Sequence, residues 1–552
     1  MYSRSQPYNL PQRSRRQPDE QAPDQAGQKD GITLPMTKSQ TVRLAADIGG
    51  TFTDIVLEVG DARFTTKVLT TPRAPESAVL DGAETVLKQA GKTIADIDVF
   101  VHGTTLATNA IIERKGARIA LIATDGFRDV LEIADESRFD QYDIFIEKAK
   151  PLVPRERRFT VPERIDVHGA IRRPLDEAAV RRIGERLKTE KVEAIAVAFI
   201  HSYVNAVHEQ RVRDILTDVC PGVFVTLSSE VCPEAREYER TSTAVANAYV
   251  QPLMAGYLAR LKSAFAAGGY TAPIHLMTSG GSLASLETAS RFPIRLVESG
   301  PAGGAILAAK IAEERGLDSI VSFDMGGTTA KICLIDHGKP LMARSFEVDR
   351  QSRFMKGSGF PVRIPVIEMV EIGAGGGSIA HIDTMRRIVV GPESAGAEPG
   401  PASYGRGGMQ PTVTDADLAL GKISVGRFAG GKIAIHPEKA VAALKSEIGD
   451  KIGLDADKAA YGVAEIIDEN MSNAARVHAV ERGQAIAERT MIAFGGAAPL
   501  HASRMAEKLG IRTVVVPADA GVGSAIGFLA APAAYEMIRS KYLRLDGFDA
   551  AA

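Results

Sequence analysis

A chain of 552 residues exceeds what one hydrophobic core supports, so two or more domains are expected. With 45% hydrophobic and 24% charged residues it has the composition of an ordinary soluble globular protein, and a formal net charge of −2 gives no electrostatic case for a nucleic acid or an anionic membrane as partner. No apolar run approaches the ~18 residues that span a bilayer, and Cys220, Cys232 and Cys333, with no CxxC pair, read as reduced thiols of a cytoplasmic protein.

Residues 1–38 are rich in Gln, Pro, Arg, Ser and Asp without apolar periodicity and read as a disordered tail. They lack the apolar region of a secretory signal, and Asp19, Glu20 and Asp24 argue against a transit peptide. Next, Asp47-Ile-Gly-Gly-Thr-Phe-Thr-Asp54 lies between the apolar runs 41–46 and 55–59, the pattern of a tight turn between two strands of a hairpin. Glycines let a backbone approach a ligand closely, and hydroxyls and carboxylates beside them suit a nucleoside triphosphate with its Mg²⁺. Glu76 to Ala90 has helical spacing with Gly91 as a stop, and Gly91-Lys-Thr93 is no Walker motif because Val86 stands at the required first glycine. The strand from Asp98 breaks at Gly103 into a helix expected to reach about Lys115, with Thr104 or Thr105 as its cap and His102 at the edge.

From Arg118 to about Phe292 strands and helices alternate, which predicts an α/β region, and the helical stretch Tyr238 to Ala267 contains Pro252, expected to kink it. Val297-Glu-Ser-Gly-Pro-Ala-Gly-Gly304 opens a helix with Pro301 in its first turn and a small-residue face, Ala302, Gly303, Ala305, Ala308 and Ala309, that another helix can approach closely. Asp324-Met-Gly-Gly-Thr-Thr-Ala-Lys331, again between two strands, repeats the first turn and predicts two similar lobes clamping one polyphosphate. The glycine loop Ile372 to Ala380 lacks the last glycine and the helix of a dinucleotide fingerprint. Gly391 to Gly408 reads as one long ordered loop, without the Gly-x-Ser-x-Gly elbow of a serine hydrolase. Helices at about Pro437 to Ile448 and Ala456 to Val480 precede strand, Gly495-Gly496 turn and helix, a geometry that accepts a flat ring. A second small-residue helix at Ala520 to Phe528 is expected to pack on the first.

This order of elements resembles the actin, sugar kinase and Hsp70 ATPase superfold. More narrowly, Asp47 to Asp54, His102-Gly-Thr-Thr105, Glu298 to Gly304, Asp324 to Thr328, Ile372 to Ser378 and Phe494-Gly-Gly-Ala-Ala-Pro-Leu-His501 resemble the hydantoinase A and 5-oxoprolinase family over roughly residues 42–530. The resemblance implies an α/β fold of two related ribonuclease H-like lobes around a nucleotide cleft: 39–300 as N-terminal lobe with an inserted α/β region, 301–530 as second lobe, 531–552 as a short tail. It implies ATP and Mg²⁺, phosphorylation of a cyclic amide at its carbonyl oxygen before ring opening, and a B-type partner subunit. Relatives carboxylate ketones by the same activation; a nucleotide switch or kinase on the same superfold is a further alternative. By the same resemblance Asp47 and Asp324 position the metal, and Gly49, Gly50, Thr51, Thr53, Gly326, Gly327, Thr328 and Thr329 hold phosphates. Gly495 and Gly496 face the adenosine. His102, Thr105 and Glu298 are catalytic candidates on the substrate side, and Asp54 is a fourth, poised between metal and turn. Many members carry an acid where this chain has Lys331, so the charge beside the second phosphate turn is inverted, and Lys331 is expected to contact phosphate or substrate or only to face solvent. Members also usually continue into a further C-terminal domain, so a shortened or a naturally short form is expected.

Overall fold

The computed structural model describes residues 41–50, 52–71, 73–350, 356–431, 434–534, 536 and 538–543. The tail read as disordered, Thr51 of the first turn and residues 544–552 lie outside them.

Both expected hairpins form, and each starts a sheet of the same plan. In the first, Val42–Ile48 pairs antiparallel with Phe52–Val59, which pairs antiparallel with Ala62–Leu69 across the two-residue turn Gly60-Asp61. On its other side Val42–Ile48 takes Val99–Thr104 in parallel, then Ile274–Met277 in parallel, with Leu283–Ser285 at the edge. In the second, Ser319–Met325 pairs antiparallel with Ala330–Asp336 and that with Lys339–Pro340, while Thr490–Phe494 and Val514–Val515 add in parallel. The strand order, third-second-first-fourth-fifth, is the same in both.

Period-two alternation sets what each face does. Leu44, Ala46 and Ile48 pack under the helix Pro75–Gln89, whereas Ala45, Val56 and Val101 face a second core shared with Ile320, Cys333, Ile492 and Phe494 of the other sheet. Strands buried on both faces read as continuous apolar runs, as these do. Two residues beyond Ala45 on the shared face comes Asp47; four beyond Ile320 comes Asp324. The polar chemistry therefore continues the two inner faces at the point where the strands end.

Between the sheets lie the two small-residue helices, Ser299–Arg315 and Gly523–Ala530, crossing as expected. A Cβ on Gly527 would lie 1.8 Å from the carbonyl oxygen of Gly303, and Phe528 fills the space that Cβ atoms on Gly103 and Gly303 would take, at 2.2 and 2.4 Å. The alternating region forms a four-stranded parallel sheet with its own core (Ile122, Val197, Val212, Leu216), in the order Phe224–Leu227, Ala194–Ala198, Ile119–Thr124, Arg158–Val161.

Several expectations need correction. Pro252 does not interrupt its helix, which runs 31 residues from Glu237 to Ala267. The helix after Val99–Thr104 covers only Leu106–Ile112. Gly391 to Ser394 is no loop but the end of the strand Ile388–Ser394, paired with Ser378–Ile382. All three cysteines are buried and free, and no described helix is long and apolar enough to cross a membrane.

Candidate active site

The registers align charges in rows across the strand ends. In the first sheet Asp47 stands opposite Asp54, and Asp54 opposite Lys67, whose ammonium lies 2.5 Å from the Asp54 carboxylate. In the second, Asp324 stands opposite Lys331, and Lys331 opposite Glu371 on Val370–Ile372. The rows are acid-acid-base and acid-base-acid: the outer two charges are exchanged between the lobes, so Lys331, unexpected as a lone inversion, has a local counter-charge. It is held 3.4 Å from Glu298 and 3.5 Å from Glu371. Burial works against its charge, but Glu298, Glu371 and Asp324 together keep its pKa above the ordinary lysine value.

The inner member of each row is an acid under strain. Burial pushes Asp47 up to about 7, with repulsion from Asp54 and Asp324 adding and Lys67 and Lys331 opposing. Asp324 is pushed up to about 6, again by burial first, relieved by Lys331 and worsened by Asp54. Asp54 is raised by burial and pulled back by Lys67, and Glu298 is raised by burial and pulled back by Lys331. Carboxylates that repel one another in a dry site are what a cation relieves. Asp47 Oδ1 is buried without a hydrogen-bond partner, which fits the place of a Mg²⁺ ion or its water. Among the described residues no group of three or more His, Cys, Asp and Glu is arranged to hold a metal.

The helix Ser299–Arg315 brings the rows together. Its N-cap, Glu298, has a left-handed backbone (φ 62°), and one turn apart Gly300 and Gly304 face the two acids. Cβ atoms there would lie 3.1 Å from Asp47 Oδ2 and 3.5 Å from Asp324 Oδ2, the Gly304 one also 2.5 Å from the Phe494 ring. Gly495 closes the other side: at φ 97°, a Cβ would meet Asp324 Oδ1 at 2.4 Å. Gly496 beside it is exposed. In the first turn Gly49 donates to Phe52 O and accepts from the Thr70 hydroxyl. In the second, the exposed Gly327 and Thr328 form the front. The loop from Ile372 packs behind them: Gly376 N donates to Gly326 O at 3.0 Å and Gly377 N to Gly327 O at 2.7 Å, and a Cβ on Gly375 would lie 2.6 Å from the turn backbone. That loop braces the turn, the reason its glycines are close-packed rather than open.

Not every candidate reaches this cleft. His102 is fully buried, its Nδ1 3.0 Å from Ala46 O and its Nε2 2.7 Å from the Tyr257 hydroxyl, and burial drives its pKa down to about 4. It is a neutral brace of the first strand, not a group facing the cleft. The Thr53 side chain also points away, buried, its hydroxyl 3.0 Å from that of Thr70. Thr105 occupies the N-cap position but donates to Ile48 O at 3.1 Å; the hydroxyl bound to a helix amide is that of Thr104. Thr105 thus ties the helix to the end of the first strand, with Asn109 near Gly50. Sequence reasoning missed Lys67, Gly300, Gly304 and Glu371. For Lys67 a signal existed: counting outward from the Gly60-Asp61 turn sets residue 67 against residue 54.

Two lobes of one strand order, hinged on crossing small-residue helices with a carboxylate row from each, define the actin, sugar kinase and Hsp70-like superfold. Within it, residues 43–220 match the hydantoinase/oxoprolinase N-terminal region and residues 240–537 the hydantoinase/oxoprolinase family: the chain belongs to that family. It is 36% identical to the caprolactamase subunit alpha of Pseudomonas jessenii over 93% of this chain and 73% of that one. The crystal structure of the ATP-dependent caprolactamase from Pseudomonas jessenii superposes with a TM-score of 0.76 over 88% of this chain and 70% of that chain. The nucleotide-free structure of an acetone carboxylase, 28% identical, does so with a TM-score of 0.77 over 89% and 70%.

Proposed function

We propose that the chain is the ATP-binding subunit of an ATP-dependent cyclic amide hydrolase that phosphorylates the ring carbonyl oxygen before hydrolytic opening. The observation that carries this reading is the pair Asp47 and Asp324, two acids from matching hairpins, both raised by burial and aimed across one helix at a shared space. The likeness to the ATP-dependent caprolactamase supports it. In this reading residues 39–300 and 301–530 are the two lobes, the Gly49-Gly50 and Gly326 to Thr329 turns hold the phosphates, and Gly495-Gly496 faces the adenosine. Asp47 and Asp324 would hold Mg²⁺, which would supply neutralisation of phosphate charge.

An amide carbonyl is a poor electrophile because nitrogen donates into it. Attack by its oxygen on the γ-phosphorus breaks the bond to the β-phosphate oxygen and releases ADP. Water then adds to the activated carbon, and the C–N bond breaks as nitrogen takes a proton. The acyl phosphate left is hydrolysed by a second water to carboxylate and inorganic phosphate. Asp54, raised by burial and pulled back by Lys67, and Glu298, paired with Lys331, are the chain's acids beside the two inner carboxylates and accept or return protons there. A B-type partner subunit completes the enzyme in this proposal, as the subunit naming of the caprolactamase relative suggests.

The test is ADP release with caprolactam, 5-oxoproline or hydantoin in the presence of a B-type subunit. Amide-dependent release, lost in Asp47→Asn, supports the reading; release that ignores the amide refutes it. The likeness to an acetone carboxylase supports a second reading, ketone carboxylation, which requires release that depends on bicarbonate and a ketone.

A further inference from the structure

The four-stranded parallel sheet has a chemistry of its own. In chain order its strands lie fourth-third-first-second, so the connections reverse between Ile119–Thr124 and Ala194–Ala198. Open parallel sheets bind ligands outside their carboxyl ends near such a reversal. One strand along from the reversal, on the residues that follow Ala194–Ala198 and Phe224–Leu227, is a cavity of about 650 Å³, within the range of about 300–1,000 Å³ of small-molecule sites. Ser202 and Ser229, which follow the two strands, line it together with Tyr203 and His168, and so do Arg539 and Lys541 from the far end of the chain. The segment carrying the two cations is fixed by Ser540, whose amide donates to Pro233 O and whose hydroxyl accepts from Ala235 N.

A buried network decides what the two hydroxyls offer. Glu209, fully buried, accepts from Phe199 N, Ser228 Oγ, Ser229 N and Ser229 Oγ, the last at 2.6 Å. Ser229 has spent its only proton on Glu209. Ser228 has done the same and also accepts from the buried Arg240 Nε, so in its 3.1 Å contact with Ser202 it is Ser202 that donates. Both cavity hydroxyls are thereby left with lone pairs alone. One cavity thus offers acceptors from Ser202 and Ser229 and the cations of Arg539 and Lys541, which call for an anion.

We infer that this cavity is a second ligand site, separate from the cleft, for a small amino carboxylate: its ammonium on Ser202 and Ser229, its carboxylate on Arg539 and Lys541. Hydrolysis of a cyclic amide yields such a molecule, because the ring nitrogen becomes an amine and the carbonyl a carboxylate. That link to product rests on the reading above; the site itself does not.

Isothermal titration of the purified chain without nucleotide tests it, using 6-aminohexanoate and glutamate, with hexanoate and hexylamine as controls that each lack one end. Saturable binding of at least one amino carboxylate is expected, weakened at least tenfold when either end is removed from the probe and at least tenfold in the double variant Arg539→Ala, Lys541→Ala. Ser229→Ala is expected to weaken the amino carboxylate and leave hexanoate unchanged, and Asp47→Asn to bind as the parent does. Absence of saturable binding, equal binding of hexanoate, or loss of binding in Asp47→Asn, which would put the ligand in the cleft, overturns the inference. A thermal shift with MgADP on the same samples reports the cleft independently, so failure of one site is distinguishable from failure of the other.

Discussion

At the scale of the residue, the cleft is defined by what each side chain is prevented from doing. Burial and mutual repulsion keep Asp47 and Asp324 from both ionising comfortably without a cation beside them, which is what the proposed Mg²⁺ would supply. Asp324→Asn is expected to lower ADP release by about 10²–10³-fold, the usual cost of removing one preorganised electrostatic group, with the thermal melt little changed. Gly495→Ala acts differently, since the new methyl meets Asp324 Oδ1 and the backbone keeps its positive φ. A loss of about 1–3 kcal/mol in chemical denaturation is expected, together with weaker nucleotide binding. His102 shows how far a motif can mislead about a role. Its folded pKa of about 4 lies below the ordinary 6.5, so its contribution to stability is present above pH 6.5 and is lost as pH falls towards 4. His102→Gln should cost stability, through the Ala46 and Tyr257 hydrogen bonds, while the pH profile of ADP release in the neutral range keeps its shape. The Asp-x-Gly-Gly-Thr turns and their acids were legible in the sequence because the turn chemistry is local. Lys67 was legible only by counting register, and Gly300, Gly304 and Glu371 were not, because chain far away in sequence sets what they face.

At the scale of the element, the helix Ala498–Leu509 is anchored by a buried ion cluster. Its His501 lies between Asp468, 2.7 Å from Nδ1, and Asp417, 3.0 Å from Nε2, carboxylates borne by Ala456–Glu481 and Val413–Ala419. Burial opposes the charge, but the two carboxylates raise the His501 pKa to about 9. A group raised from 6.5 to about 9 stabilises fully below pH 6.5 and loses that contribution as pH rises through 9. His501→Gln should therefore destabilise at pH 7, by about 3–5 kcal/mol as for a broken buried pair, and the difference from the parent should shrink above pH 9 in denaturant titrations. The crossing of Ser299–Arg315 and Gly523–Ala530 was readable from glycine and alanine spacing alone, since only small residues permit a carbonyl within reach of Gly527. The end of the strand Ile388–Ser394 was not: its Gly391-Pro392 sequence denies strand propensity, and the strand passes them in a register shift between the pairs Val390 with Ala380 and Ser394 with Ser378.

At the scale of the whole molecule, the two lobes touch at the cleft mouth as well as at the hinge. Phe52, at the tip of the first turn, packs against the cluster of Leu418, Ile435 and Ala440 with Tyr404, while Lys67 lies 5.4 Å from its ring centre. Phe52→Ala should reduce the thermal shift given by a fixed MgADP concentration L, since a weaker dissociation constant lowers RT ln(1 + L/Kd), from about 2.7 kcal/mol at 100 times Kd to about 1.4 after a tenfold loss of affinity. The matching hairpins, the two small-residue helices and the family were accessible from sequence because each leaves a local motif. The exchanged charge rows were not, because exchange is visible only once three strands are in register. The central claim is that the rows bind nucleotide to activate a ring amide, and the measurement that tests it most directly is ADP release by the complex with a B-type subunit, with caprolactam, 5-oxoproline and hydantoin offered in turn and bicarbonate with acetone as the control. The account predicts release that rises with at least one ring amide, is indifferent to bicarbonate and is abolished in Asp47→Asn. Release that requires bicarbonate and ketone, or that proceeds unchanged in Asp47→Asn, would contradict it.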